Sequence, residues 1–546
     1  MSALGRRPDS RRPATPATSP RVHRRRRRWR PLLRGLAGLA LLAWIASGLW
    51  HAYKPLPEGV GAPWPLRPAQ DVAFLADLTW VDDQGTRHSD QTIFDEMLRL
   101  VAQAQRLVVA DQFLFNDFGA EAGDHEHRRL SAELSAALIQ RLQQAPELQV
   151  VLVTDPVNTV YGGVVAPHLE ALRQAGAKVV ITQVSALRAP NPGWSGLWHL
   201  CCRWLGNDAG SGWLPNPLGP GKVTLRSWLA LINLHANHRK TLVVDAGQGW
   251  LGLVTSANPH DASSAHGNVA LRFGGRAALD LLASELAVLE FSGEQAALPA
   301  LARLVDSQVP AAAGNNGNDA GGHDRAHGDG HDNGNGDDTD ADAGSRLQIL
   351  LEGRIRDALL ATVAASAPGD RLDIAVFYLS HRALIKALVQ AHRRGVQVRV
   401  LLDPNEDAFG RKKNGVPNRQ VAWELDRAGI PVRWCDTHGE QCHAKLMLHR
   451  AGGGDSGDAA AGAAELILGS ANFTRRNLDD YNLETNVRLL GDGRSTAIAA
   501  AAELFERLWH NEAGRRYSVA YPAYQDTSRL RRWQYRVAEA TGLSSW

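Results

Sequence analysis

Cysteine is scarce, with four residues in a chain of 546. So few cannot staple a fold of this size, and stability has to come from buried apolar surface. A basic body is also missing. The formal net charge of +3 is what remains of two opposed segments. Residues 1–34 hold twelve arginines against one aspartate, and residues 311–345 hold eight aspartates against one arginine. The remainder is nearly neutral and lacks the basic footprint that a nucleic-acid binder usually shows on its folded part. Apolar residues make up 44% and charged residues 21%. That balance excludes a wholly disordered, collagen-like or disulfide-scaffold protein. The length alone suits about three or four domains.

What is present begins with Arg24–Arg28, Arg30 and Arg34, followed by an apolar run over 35–53. Nineteen helical residues rise about 28 Å, enough for a thin bilayer core. Trp29, Trp44 and Trp50 suit anchoring near its ends. No convincing A-x-A cleavage site follows; Ala46-Ser47-Gly48 is the nearest approach. The segment reads as an uncleaved signal anchor, with a cleaved signal peptide and a buried soluble helix as the alternatives. The arginines place the tail, 1–34, in the cytoplasm. The body then lies outside a bacterial inner membrane, in the periplasm if the source is Gram-negative.

The body is built twice. Arg106-Leu107-Val108-Val109-Ala110 pairs with Arg371-Leu372-Asp373-Ile374-Ala375, and Val150–Pro156 with Val398–Pro404. Gln174–Val180 pairs with Arg427–Arg433. Apolar runs alternating with helical segments predict an α/β fold with buried sheets. Between the halves, 311–345 is made of Gly, Asn, Asp, Ala and His and reads as a disordered linker. Its His323, His327 and His331 read as solvated, with adventitious metal binding the alternative. Asp155 and His238 are 83 positions apart, but Asp403 and His443 only 40. The extra length falls in 185–227, a segment rich in tryptophan. It reads equally as a hydrophobic cap or as a lip touching membrane.

The chemistry lies in His238-Arg239-Lys240 with Asp245, an H-x-K-x4-D pattern, and in its companion His443-Ala444-Lys445. Each leads into an apolar strand, where positions i and i+2 face the same way. Ser256-Ala257-Asn258 and Ser470-Ala471-Asn472 follow at matching places. One H-x-K means little; two, each at the same place in a repeat and each followed by S-x-N, mean much. The chain resembles the phospholipase D superfamily over about 70–310 and 346–520, most nearly its bacterial cardiolipin-synthase-like members. Asn472-Phe473-Thr474-Arg475-Arg476 and Asn482-Leu483-Glu484 add to the likeness.

The resemblance implies two similar α/β/α sandwich domains sharing one active site, with residues 521–546 as a C-terminal extension. It implies a metal-free mechanism without a cofactor. One histidine forms a phosphohistidine; the other protonates the leaving alkoxide, then activates water or an acceptor alcohol, phosphatidylglycerol included. Lys240 and Lys445 neutralise phosphoryl oxygens, helped by Asn258 and Asn472, with Ser256 and Ser470 in support. His238 is favoured as nucleophile and His443 as general acid. Two departures stand out. Arg450 occupies the place of the second Asp. Glu484 matches the family's acidic partner, but pairing Asn268-Val269 with Asn486-Val487 puts His266 opposite it.

Cys435, His438, Cys442 and His443 have a spacing that suits zinc, although a Cys435–Cys442 disulfide or free thiols fit better outside the membrane. Cys201 and Cys202 read as buried thiols, because a bridge between neighbours is strained. Membrane phospholipids are the expected partners, and the oligomeric state stays open. The competing readings are a nucleic-acid phosphodiesterase, against which the neutral body argues, and a catalytically inactive lipid-binding protein on the same fold.

Overall fold

The computed structural model describes residues 23–119, 127–247, 249–294, 303, 344–408, 411–452, 462–542 and 544. The basic tail before residue 23 and the linker over 311–343, with its three histidines, lie outside the described residues.

In chain order the strands are β1 (Arg67–Pro68), β2 (Ala73–Val81), β3 (Arg87–Asp90), β4 (Leu107–Gln112), β5 (Gln149–Thr154) and β6 (Lys178–Ile181). A small hairpin of β7 (Leu214–Pro215) and β8 (Lys222–Val223) precedes β9 (Lys240–Asp245), β10 (Trp250–Thr255) and β11 (Asn268–Gly274). The second half brings β12 (Arg346–Leu351), β13 (Arg371–Val376) and β14 (Gln397–Leu402). The short β15 (Asp407–Ala408) and β16 (Arg411–Lys412) come next, then β17 (Val432–Cys435), β18 (Lys445–Arg450), β19 (Ala463–Gly469), β20 (Thr485–Asp492) and β21 (Ser518–Ala520).

Two large sheets result. The first runs β3-β2-β11-β10-β9-β4-β5-β6 and the second β1-β12-β20-β19-β18-β13-β14-β17-β21. Without β3 in the first and β1 and β21 in the second, the two orders coincide. In each, three parallel strands (β4-β5-β6 and β13-β14-β17) adjoin four antiparallel ones. Strands β4 and β9 are buried along their whole length, which explains their unbroken apolar runs: helices and the other half cover both faces. Helix Thr92–Gln103 shows the matching pattern, burying Ile93, Phe94, Met97, Leu100 and Val101 as one stripe.

The halves share a core. Phe273, Leu281 and Leu282 of the first belong to one apolar cluster with Leu446, Leu489 and Phe505 of the second. Behind the H-x-K motif a charge joins them as well. Arg239 is fully buried; its Nη2 donates to Glu352 Oε1 of the second half at 2.9 Å, and Nη1 lies 3.4 Å from Glu285 Oε2 of the first.

Helix α1 (His23–Tyr53) contains a 25-residue stretch, Trp29–Tyr53, with an 18-residue window of mean hydropathy 1.7. It is long and apolar enough to cross a membrane, and its apolar side chains are exposed rather than packed in a core. Its last turns meet the tryptophan-rich insertion. Trp44 Nε1 donates to Gly193 O at 2.7 Å, and Ser47 Oγ to Gly196 O at 3.1 Å. Gly48 and Gly196 face one another so closely that a Cβ on Gly196 would stand 2.7 Å from Gly48 N.

Cys201 and Cys202 are not buried thiols. They are bonded to each other on a half-exposed to exposed turn. The wide turn Trp198–Cys202, closed by Arg203 N donating to Trp198 O at 3.1 Å, carries them at the surface of the insertion rather than in its core. Cys435 and Cys442 are also joined, so their sulfurs are not available to zinc.

Replacing Arg239 leaves Glu352 and Glu285 buried without their cation. Arg239→Met is expected to lower unfolding free energy by about 3–5 kcal/mol. Denaturant titration of the detergent-solubilised chain checks this, with Lys222→Met on an exposed residue unchanged as the control.

Candidate active site

Each histidine sits just before a central strand, β9 or β18, and its backbone is clamped by the other half. His238 N donates to Leu483 O at 2.9 Å, and Leu483 N to Ala236 O at 3.1 Å. Symmetrically, His443 N donates to Gly267 O at 2.7 Å, and Gly267 N to Gln441 O at 2.9 Å. A buried carboxylate fixes the preceding residue in each half. Asp155 Oδ2 accepts from Asn237 N at 2.7 Å, and Asp403 Oδ2 from Cys442 N at 2.8 Å. Burial raises both aspartates to about 7, against the hydrogen bonds that favour their charged form. These two residues were missed as site residues, although the duplicated Asp-Pro at the ends of β5 and β14 was their signal.

The side chains are exchanged in the same way. His238 Nδ1 lies 3.0 Å from Glu484 Oε2 and 2.9 Å from Oε1. His443 Nδ1 lies 3.2 Å from Asn268 Oδ1. Each imidazole is therefore oriented by a residue of the opposite half. This corrects the sequence alignment: the residue opposite Glu484 is Asn268, not His266. Ser256 N donates to Val269 O as Ser470 N does to Thr485 O, which pairs Val269 with Thr485 and so Asn268 with Glu484. The shared Asn-Val dipeptide misled, because the first-half loop is two residues shorter. His266 instead accepts from Gln441 N at 3.3 Å, and its ring centroid lies 5.9 Å from that of His443.

Ser256 and Ser470 are not at the cavity surface. Their hydroxyls donate to Asn268 and Glu484, respectively, so they hold the residues that orient the histidines. Asn477 donates to the other oxygen of Glu484. Lys240 and Lys445 are fully buried behind the histidines, their Nζ atoms 2.8 and 2.6 Å from the carbonyls of His238 and His443. They lie over the rings of Phe113 and Phe377. Asn258 and Asn472 do line the cavity. Asp245 is not brought to the site. At the far end of β9 it accepts from the backbone of Gln105, Arg106 and Leu107. Arg450, at the same register of β18, is neutralised by Asp373 and Glu506, at 2.8 and 3.3 Å.

The cavity in front of both histidines measures about 620 Å³. Phe113, Leu114, Phe118, Pro217, Leu218 and Phe377 form an apolar wall. Lys412, Lys413 and Arg476 supply positive charge, and no carboxylate lies among the described lining residues. Arg476 was quoted in the motif but not assigned to the site. Its Nε and Nη2 are buried without a partner among the described residues, and burial lowers it to about 10. Burial, opposed by Glu484, holds His238 at about 4. Burial pushes His443 well below the ordinary histidine value, and Lys445 and His266 add to it. Burial also lowers Lys240, to about 7.

Two like sandwich domains with their paired H-x-K strands between them make up the phospholipase D fold. Residues 360–509 match the family model described as cardiolipin synthase, PLD-like domain. Phosphatidylserine synthase of Haemophilus influenzae Rd KW20 is similar in structure, with a TM-score of 0.50 and 10% identity over 88% of this chain and 96% of that one. A phospholipase D family member, Nuc from Salmonella typhimurium, aligns at 19% identity over 32% of this chain and 97% of that one, with a TM-score of 0.25. No curated protein matches the sequence.

The amide at Asn268 accepts a hydrogen bond from His443 but contributes no charge. Asn268→Asp would place a carboxylate about 3 Å from the ring and favour the imidazolium. The His443 pKa is expected to rise by about 1–3 units, with His238 moving less. Histidine-selective NMR titration reads both.

Proposed function

We propose that this chain is a membrane-anchored phospholipid phosphodiesterase or phosphatidyltransferase acting through a phosphohistidine. One observation carries the reading: two partnered imidazoles open onto a cavity lined by both cationic and apolar side chains, with no carboxylate among its described lining residues. A phospholipid presents the complementary pair, a phosphodiester anion and acyl chains. The apolar wall favours it over a nucleic acid.

In this mechanism His238 donates Nδ1–H to Glu484, which leaves the Nε2 lone pair to attack phosphorus. The P–N bond forms as the P–O bond to the leaving alcohol breaks, and His443 gives its proton to the departing oxygen. Water or an acceptor alcohol, such as phosphatidylglycerol, then returns a proton to His443 while its oxygen attacks phosphorus and the P–N bond breaks. Glu484 stabilises the positive charge on the phosphorylated ring. Arg476, Asn258 and Asn472 face the non-bridging oxygens, and Lys240 and Lys445 add positive potential from behind. Bound phosphate anion favours protonated His443, so the substrate itself arms the acid. Helix α1 is the anchor, with its arginine-rich end cytoplasmic and the two sandwich domains on the other side.

The test uses the detergent-purified chain with mixed phosphatidylglycerol, phosphatidylethanolamine and phosphatidylcholine vesicles, in EDTA, with and without glycerol. Lipid mass spectrometry is expected to find phosphatidic acid, cardiolipin or an exchanged headgroup. His238→Ala and His443→Ala are each expected to lower the rate by about 10³-fold or more. A folded wild type that leaves all three lipids intact would sink the proposal.

A further inference from the structure

We infer that a second cavity, set between the first domain and the tryptophan-rich insertion, binds the phosphate headgroup of a bilayer phospholipid. The inference rests on the reading of α1 as a membrane anchor. The cavity measures about 750 Å³. Its wall carries Arg203, Arg226, His199 and His235. Glu170 is the one carboxylate among its described lining residues, and it is already paired with Arg173. Arg203 stacks on Trp204, 3.9 Å from the ring centroid, with no carboxylate partner among the described residues. Arg226 Nε donates to Arg203 O at 3.1 Å, which draws the two arginine stems together. His235 is only 6% exposed, and its ring has no hydrogen-bond partner among the described residues. Burial, with Lys54 and His199 adding, lowers His235 to about 3. A buried imidazole without a hydrogen-bond partner among the described residues, lining one cavity with two arginines that have no carboxylate partner among them, suits an anion.

Position selects the source of that anion. His51, in the last turn of α1, stacks on His199 with ring centroids 3.6 Å apart. Lys54, one residue beyond the helix, donates to Ser185 O at 2.6 Å. The cavity therefore stands where the anchor leaves hydrocarbon, at headgroup depth. Its rim residues Trp204 and Val165 are 69% and 63% exposed, and Leu200 of the adjoining turn is exposed too. Tryptophan at that depth belongs to the bilayer interface, and cations there attract anionic lipids. The partition from the catalytic cavity is thin: Pro156 and His235 line this cavity, while their neighbours Val157 and Ala236 line the other.

The full chain with His238→Ala, which prevents turnover, would be examined by native mass spectrometry in detergent with dioctanoyl phosphatidylglycerol. Adding Arg203→Gln and Arg226→Gln is expected to remove one of two bound lipids, weakening it by about tenfold or more. Dioctanoyl phosphatidylcholine is expected to fill this site more weakly. If the double change unfolds the chain, Arg226→Gln alone at a half-exposed position repeats the test. Unchanged phosphatidylglycerol binding in the folded arginine variants would overturn the inference. So would glycerol 1-phosphate binding as tightly as the lipid with the same arginine dependence, since that assigns the cavity to a free phosphate ester. Alkaline carbonate extraction of wild-type membranes tests the anchor separately. Release of the chain would refute the anchor while leaving the detergent result to judge the cavity.

Discussion

The structure turns on one exchange between its halves. Each H-x-K segment takes a short parallel backbone pairing from the opposite half, and the residue next to that pairing reaches the imidazole. His238 depends on Glu484, and His443 on Asn268. Sheet order, shared core and buried Arg239 bridge all serve to keep these two crossings in register. A shift of one residue in either pairing would turn the orienting side chain to the other face of its strand.

The asymmetry of the crossings sets the electrostatics. Glu484 works against the burial penalty at His238, whereas the charges that act most strongly on His443, led by Lys445, add to it. The two rings are thus prepared for different tasks before any substrate arrives. A buried lysine behind each one deepens the positive potential without coming to the cavity surface. The arrangement suits a site that becomes electrically balanced when an anion enters.

Much of this was legible in the sequence, for identifiable reasons. Buried parallel strands give continuous apolar runs, so β4, β5, β13 and β14 were readable as a repeat. Period two made His238 with Lys240 and His443 with Lys445 stand out. Other features were not legible because they depend on loop length or on distant partners. A loop shorter by two residues hid Asn268 behind the coincidence of Asn-Val. Ser256 and Ser470 looked like phosphate ligands because their hydrogen-bond partners come twelve and fourteen residues later. Arg450 looked like damage until Asp373 and Glu506 stood beside it, a reversed charge answered by reversed neighbours. Asp155 and Asp403 stood out only as matching positions of the repeat, since what they hold lies 82 and 39 residues downstream.

The crossing of partners also bears on why the two halves share one chain. Two identical copies related by a twofold axis would present the same residue to both rings, a carboxylate to each or an amide to each. Carrying both copies in one chain frees each to change without the other. The pairing of Glu484 with one ring and Asn268 with the other is thus a division of labour that no symmetric dimer of either half could hold.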